Sequence, residues 1–212
     1  MRTMMPVLLI AVVVIILIQL LLRRKNAPRR GFQKMQEELE RENTLYTRQH
    51  PVEESLFFVP DTSLLPVQPY NGDELAEKKT AAHQQKVLEQ CGTKMLKFDT
   101  PMTNRELKER FGTAQLEKIA MYEENYVKLM HQLTAWADSL RRDGQDTHAA
   151  QALEAGIAYG SDMSRMYTML AEIYKARREK DALERLGLSA EHLAEPIRGK
   201  VKRQIEQYLS EL

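Results

Sequence analysis

Residues 7–22 read Val-Leu-Leu-Ile-Ala-Val-Val-Val-Ile-Ile-Leu-Ile-Gln-Leu-Leu-Leu, with no charge, glycine or proline. With Met4 and Met5 ahead of it, the apolar run reaches about 19 residues, enough to cross a hydrocarbon core of roughly 30 Å. A secretory signal peptide has a basic start, a shorter apolar stretch and a small-residue cleavage site. Here only Arg2 precedes the run, and no Ala-x-Ala-like site follows it. A buried core helix seldom goes four turns without a polar residue. The expectation is therefore an uncleaved transmembrane anchor over residues 1–22. Arg23, Arg24, Lys25, Arg29 and Arg30 follow as a membrane-interface cluster, with Lys34 just beyond. Basic residues gather on the cytoplasmic side of a span. That asymmetry predicts a single-pass membrane protein, N-terminus outside and C-terminal domain cytoplasmic, with lipid as one partner. Cys91 is the single cysteine, so there is no disulfide framework to suggest an oxidising compartment.

Behind the anchor the chain reads as all-α. Its formal net charge of +1 gives no reason to expect nucleic acid, which calls for a strongly basic domain. Residues 23–70 form a linker: the basic juxtamembrane segment, a short polar spacer helix from 32 to 47, and an arm from 55 to 70. Pro60, Pro66 and Pro69 forbid a helix in that arm and argue against a central strand. Leu56, Phe57, Phe58, Val59, Leu64 and Leu65 nevertheless make it too apolar for a free linker. It reads as an extended segment packed on its own domain, or as a peptide ligand for another protein.

Residues 71–212 carry the helical domain. A first helix is expected from 73 to 90, with Leu75, Ala82, Val87, Leu88 and Cys91 on its buried face. Thr103-Asn-Arg-Glu106 is a capping box that opens a short helix, and Phe111-Gly112 stops it. Ile119, Tyr122, Tyr126, Leu129, Leu133, Trp136 and Leu140 then alternate at spacings of three and four, a heptad seam on one long helix from 113 to 142. Val127, Met130 and Ala137 widen the stripe, which favours packing inside a bundle over a two-stranded coil. Gly144 and Gly160 read as helix stops, with Asp146-Thr147 and Ser161-Asp162 as the N-caps that follow. Pro196 suits the first turn of a final helix lined by Ile197, Val201, Ile205, Tyr208, Leu209 and Leu212.

Set against itself at an offset of about 34 residues, the chain places Leu133 on Tyr167, Trp136 on Leu170, Ala137 on Ala171 and Leu140 on Tyr174. Ala149 likewise falls on Leu183, and Gly156 on Ala190. The run Trp136-Ala137-x-x-Leu140, then Gly144, Ala149, Leu153 and Gly156, resembles the tetratricopeptide-repeat pattern of bulky, small and turn residues. The second unit departs from it: Arg178 stands where the turn glycine belongs, Gly187 replaces a large residue, and Pro196 comes one position late. The resemblance covers about residues 130–196. It implies helical hairpins closed by a C-terminal capping helix, and a concave face lined by the first helix of each hairpin. His131, Thr134, Asp138 and Arg141 would project from one such helix, and Arg165, Thr168, Glu172 and Lys175 from the next, as a peptide groove. With Arg141, Arg165 and Lys175 as its cations, the expected guest is an extended peptide carrying a carboxylate. The asparagines of the family's carboxylate clamp have no counterpart here.

No chemistry-bearing motif stands out. His50, His83, His131, His148 and His192 lack metal-ligand spacing, and there is no phosphate-binding glycine loop, Gly-x-Ser-x-Gly elbow or Cys-x-x-Cys. The expectation is a non-enzymatic, membrane-anchored cytoplasmic scaffold with no cofactor or metal, which binds an unidentified protein or peptide. The alternative is a structural protein that self-associates through the 116–140 seam.

Overall fold

The computed structural model describes Gln19 and residues 34–40, 51–70, 74–98 and 100–212. In chain order the elements are β1 (Phe57–Phe58), α1 (Leu75–Cys91), β2 (Met95–Leu96), α2 (Asn104–Phe111), α3 (Leu116–Arg142), α4 (Asp146–Ala158), α5 (Ser164–Ala176), α6 (Lys180–Ser189) and α7 (Ile197–Ser210). The class is all-α, with one two-residue antiparallel pairing of β1 on β2.

The expected membrane anchor is corrected. Among the described residues no helix is long and apolar enough to cross a membrane. The longest, α3 at 27 residues, has the length but carries Glu117, Lys118, Glu123, Glu124, Lys128 and Asp138, each costly in hydrocarbon. The described fold therefore contains no transmembrane helix, and the single-pass location with a cytoplasmic domain is not supported. Residues 7–22, Gln19 apart, lie outside the described residues, as do Arg23, Arg24, Lys25, Arg29 and Arg30.

The chain divides into two compact units, Met1–Val52 with Met102–Leu116, and Glu53–Pro101 with Glu117–Leu212. In the first, residues 34–40 are helical and exposed. The Thr103 hydroxyl accepts from the Glu106 N–H while the Glu106 carboxylate accepts from the Thr103 N–H at 2.7 Å, closing the expected capping box. Gly112, at φ 81°, ends α2.

In the second unit the core follows the helical periodicity. Leu129, Leu133, Trp136 and Leu140 of the seam lie fully buried in one cluster with Leu153, Tyr167, Leu170 and Leu183. Met130 and Ala137 join them, whereas Val127 faces solvent. All twelve residues matched at the 34-residue offset are buried. α5 packs against α4, α6 and α7, and α6 against α7. Gly156 sits at a three-helix meeting point: a Cβ there would lie 2.7 Å from Met166 Sδ on α5 and 3.6 Å from Leu133 Cδ1 on α3.

Three helices end alike. After α3, the Gly144 N–H donates to Arg141 O and the Gln145 N–H to Leu140 O. After α4, Gly160 and Ser161 make the same pair of bonds to Ile157 O and Gly156 O. After α5, Arg178 and Glu179 bond to Lys175 O and Tyr174 O. Each turn needs one residue in the left-handed region, at φ 72° for Gly144, 84° for Gly160 and 58° for Arg178. A glycine adopts this conformation without the Cβ clash that Arg178 bears. Arg178 is exposed, so Arg178→Gly loses no packing. Thermal denaturation should show it stabilised by about 0.5–1 kcal/mol.

The helix starts differ from expectation. Gln145 and Met163, not Asp146-Thr147 and Ser161-Asp162, occupy the N-cap positions, and neither caps through its side chain. Ser161 contributes one residue earlier than a cap, its hydroxyl accepting from the Met163 N–H at 3.2 Å. Pro196 stands just ahead of α7 rather than in its first turn.

Candidate functional site

α1 is the element that sequence periodicity misreads. Leu75 is 70% exposed, and Leu88 and Ala82 also face solvent; the buried side chains are Thr80, Gln84, Val87 and Gln90. A helix that turns polar groups inward must find them partners, and the partners explain the inversion. The Gln84 carboxamide accepts from the Gln68 N–H at 2.9 Å and donates to the Gln68 carbonyl at 2.8 Å. One side chain thus reads both backbone groups of a single residue in the proline-rich arm. The Gln68 carboxamide in turn donates to Gln145 Oε1 at 3.2 Å. Thr80 bridges α1 to α3, with Ser139 Oγ at 2.5 Å and Asp143 Oδ2 at 2.6 Å. Gln90 donates to Asn125 O at 3.1 Å.

The rest of the arm is held in kind. Phe57 and Phe58 pair with Leu96 and Met95, a strand pairing that the prolines argue against only for a central strand. Phe58 packs edge-on against two tyrosine rings, Tyr126 at 5.4 Å and Tyr159 at 5.5 Å. Phe57 meets Tyr122 the same way at 5.5 Å, with the Lys94 ammonium 5.0 Å above its ring. The Tyr159 hydroxyl donates to Asp61 O at 2.7 Å. Its own carbonyl accepts from Tyr126 Oη and Lys97 Nζ, each at 3.2 Å, fixing the ring from behind. Burial pushes the Tyr159 hydroxyl up to about 12 and raises that of Tyr126 as well, so both donate as neutral phenols at physiological pH. The Asp61 carboxylate folds back on Ser63, which lowers its pKa. Pro60, Leu65 and Pro66 are buried, while Val59 is 81% exposed. At the arm's end the Tyr70 hydroxyl and the Trp136 indole N–H are buried beside each other, without a hydrogen bond of good geometry to either. Burial raises the Tyr70 hydroxyl, and the neighbouring indole N–H opposes that shift.

The arm does not lie on the groove expected from the repeat resemblance. Among that groove's residues, His131 is exposed, and Thr134 is buried with its hydroxyl donating to Met130 O at 2.8 Å. The structure brings Asp138, Arg141, Arg165 and Glu172 together as cross-helix pairs of α3 with α5: Arg141–Glu172 at 2.8 Å and Arg165–Asp138 at 3.7 Å. Arg142 also reaches Asp138, at 3.2 Å. Thr168 donates to Arg165 O at 3.1 Å. Lys175 turns to α7, pairing with Glu211 and lying 4.4 Å above the Tyr208 ring. Each cation of the expected groove therefore has an acid of this chain beside it.

Gln84, Tyr126 and Tyr159 as arm partners escape the sequence reading. The available signal was a pair of polar residues, Thr80 and Gln84, at helical spacing with Val87, where an apolar face was expected. Cys91 behaves as expected of a small core residue, half-buried with burial pushing its thiol up to about 11. No group of three or more His, Cys, Asp or Glu is placed to hold a metal among the described residues. Compared with family models, with curated proteins and with solved structures, the chain has no significant match.

Proposed function

We propose that this chain is a non-enzymatic protein-binding scaffold whose helical unit holds extended peptide segments. The observation that carries the reading is the docked arm. Its backbone is recognised by strand addition on β2 and by the paired bonds of Gln84, and its Phe58 sits against Tyr126 and Tyr159. Main-chain pairing combined with side-chain pockets is how peptide-binding domains take an extended ligand. The arm is then an internal occupant of a site that accepts a similar Phe-x-Pro segment from a partner.

The resemblance to tetratricopeptide repeats belongs to this proposal. It is supported by the same turn bonds recurring 34 residues apart at Gly144 and Arg178, with buried residues at matched positions. A second contact face on α3 and α5 would present His131, Thr168 and paired charges of both signs, which suits a guest of mixed charge better than a purely acidic one. Self-association through the 116–140 seam is disfavoured, because Leu129, Leu133, Trp136 and Leu140 already lie in the chain's own core.

A labelled peptide spanning residues 53–70 tests the reading by fluorescence anisotropy. Wild type should bind it weakly, since its own arm competes. Phe58→Ala with Leu65→Ala should release the arm and tighten binding, by roughly tenfold if the site is otherwise free about a tenth of the time. Adding Gln84→Ala should abolish the gain. No binding to the released chain, with its unfolding transition intact, would refute the proposal.

A further inference from the structure

We propose that the open furrow between α6 and α7 docks a basic amphipathic helix of another protein, at a surface distinct from the arm site. The furrow has a volume of about 360 Å³. α6 and the turn after it offer Glu184, Gly187, Leu188 and Glu191, and α7 offers Lys202, Ile205, Glu206 and Leu209. Both sets follow the i, i+3, i+4, i+7 spacing of a single helix face. Two such stripes side by side form the groove into which a third helix lays its own apolar stripe. An extended guest would look for free backbone donors and acceptors, and a wall made of two helix flanks has none to give.

Gly187 is the second observation. A glycine weakens a helix interior unless something requires it. Gly144 and Gly160 are required by their positive φ, and a Cβ at Gly156 would crowd the buried Met166 Sδ at 2.7 Å. Gly187 has neither reason: its φ is not positive, and a Cβ there would meet only Ile205 Cγ2 at 3.7 Å, an ordinary contact. What the missing side chain preserves is the open floor of the furrow. Beside it Leu188 is 72% exposed, a large apolar side chain left uncovered among the described residues.

Charge selects the partner. Lys202 is paired with Glu191, while Glu184 and Glu206 make no ion pair among the described residues. The lining thus carries three carboxylates against one ammonium around an apolar floor. That arrangement suits a helix with leucine-type anchors flanked by lysine or arginine and repels an acidic one.

The test uses the full chain and two labelled 15-residue helical peptides with leucine at the i, i+3, i+4 and i+7 positions. One has lysine at the flanking positions and the other has glutamate. The lysine peptide should bind at least about tenfold more tightly than the glutamate peptide. Glu184→Lys with Glu206→Lys should reverse that preference. Leu188→Asp and Gly187→Leu should each weaken the lysine peptide by about tenfold or more. Gly187→Ala should hold or raise the melting temperature while still weakening the peptide, a combination that a purely structural glycine does not give. Equal affinity for the two peptides, or binding indifferent to the furrow substitutions, overturns the proposal. So does concentration-dependent self-association that Gly187→Leu removes, since the occupant would then be a second copy of the chain.

Discussion

Trp136→Ala is expected to destabilise the fold by about 3–5 kcal/mol. Trp136 is 0% exposed, the largest of the fully buried side chains, and it shares one cluster with residues of α3, α4, α5 and α6. Neighbours supported from several helices cannot all collapse into the space it would leave, so the cavity term is added to the lost burial. Trp136→Phe separates volume from polarity. It keeps one aromatic ring and removes the indole N–H that lies beside the Tyr70 hydroxyl, so its cost should fall well below that of Trp136→Ala if packing dominates. Denaturant unfolding of the two variants checks the pair. Similar losses would mean that the indole N–H, not the packing, holds the site.

Gly156 and Met166 should show strong coupling. A Cβ at position 156 would stand 2.7 Å from Met166 Sδ, far inside van der Waals contact, so Gly156→Ala forces the flexible end of a fully buried methionine to shift, at the low end of about 1–3 kcal/mol. Met166→Ala removes the obstacle but leaves a cavity costing about 2–5 kcal/mol. In the double variant the new methyl enters the space that the methionine leaves. The double should therefore be more stable than the sum of the two losses by about 1 kcal/mol or more. Strict additivity would mean that α4 and α5 do not approach as closely as described.

The reach of the sequence shows in these same residues. The seam, the glycine stops and the capping box were legible because each depends on residues within a few turns of one another: Leu133 with Trp136, Gly144 with Leu140, Thr103 with Glu106. α1 was not, because its inward face answers to the arm. Gln84 is a surface residue by type, and only the backbone of Gln68 makes its burial favourable. Tyr159 and Asp61 stand 98 positions apart, beyond the reach of any local period. Arg178 was legible in the opposite sense: as a departure from the repeat pattern it marked a strained turn, and its backbone takes the left-handed conformation all the same. The groove charges carry a similar lesson. Arg141 and Arg165 look like free cations in a one-dimensional reading, and packing α3 beside α5 supplies each with an acid. Surface pairs of this kind add about 0–1 kcal/mol, so they shape the charge of the face more than the stability of the fold. The anchor expectation rested on the length and hydropathy of one segment, and the described helices supply no spanning member to support it.

Hydrogen exchange on the full chain, read by mass spectrometry, tests the central claim most directly, because it follows the arm itself. The measurement compares the chain alone with the chain plus an excess of isotopically heavy peptide spanning residues 53–70. Alone, residues 56–68 should be protected, with Gln68 protected through its bond to Gln84. With peptide present, the chain's own arm should exchange freely while Met95–Leu96 stays protected, since the incoming strand replaces the outgoing one. An arm that is unprotected from the start, or one that stays protected at saturating peptide, would contradict a site built to hold extended segments.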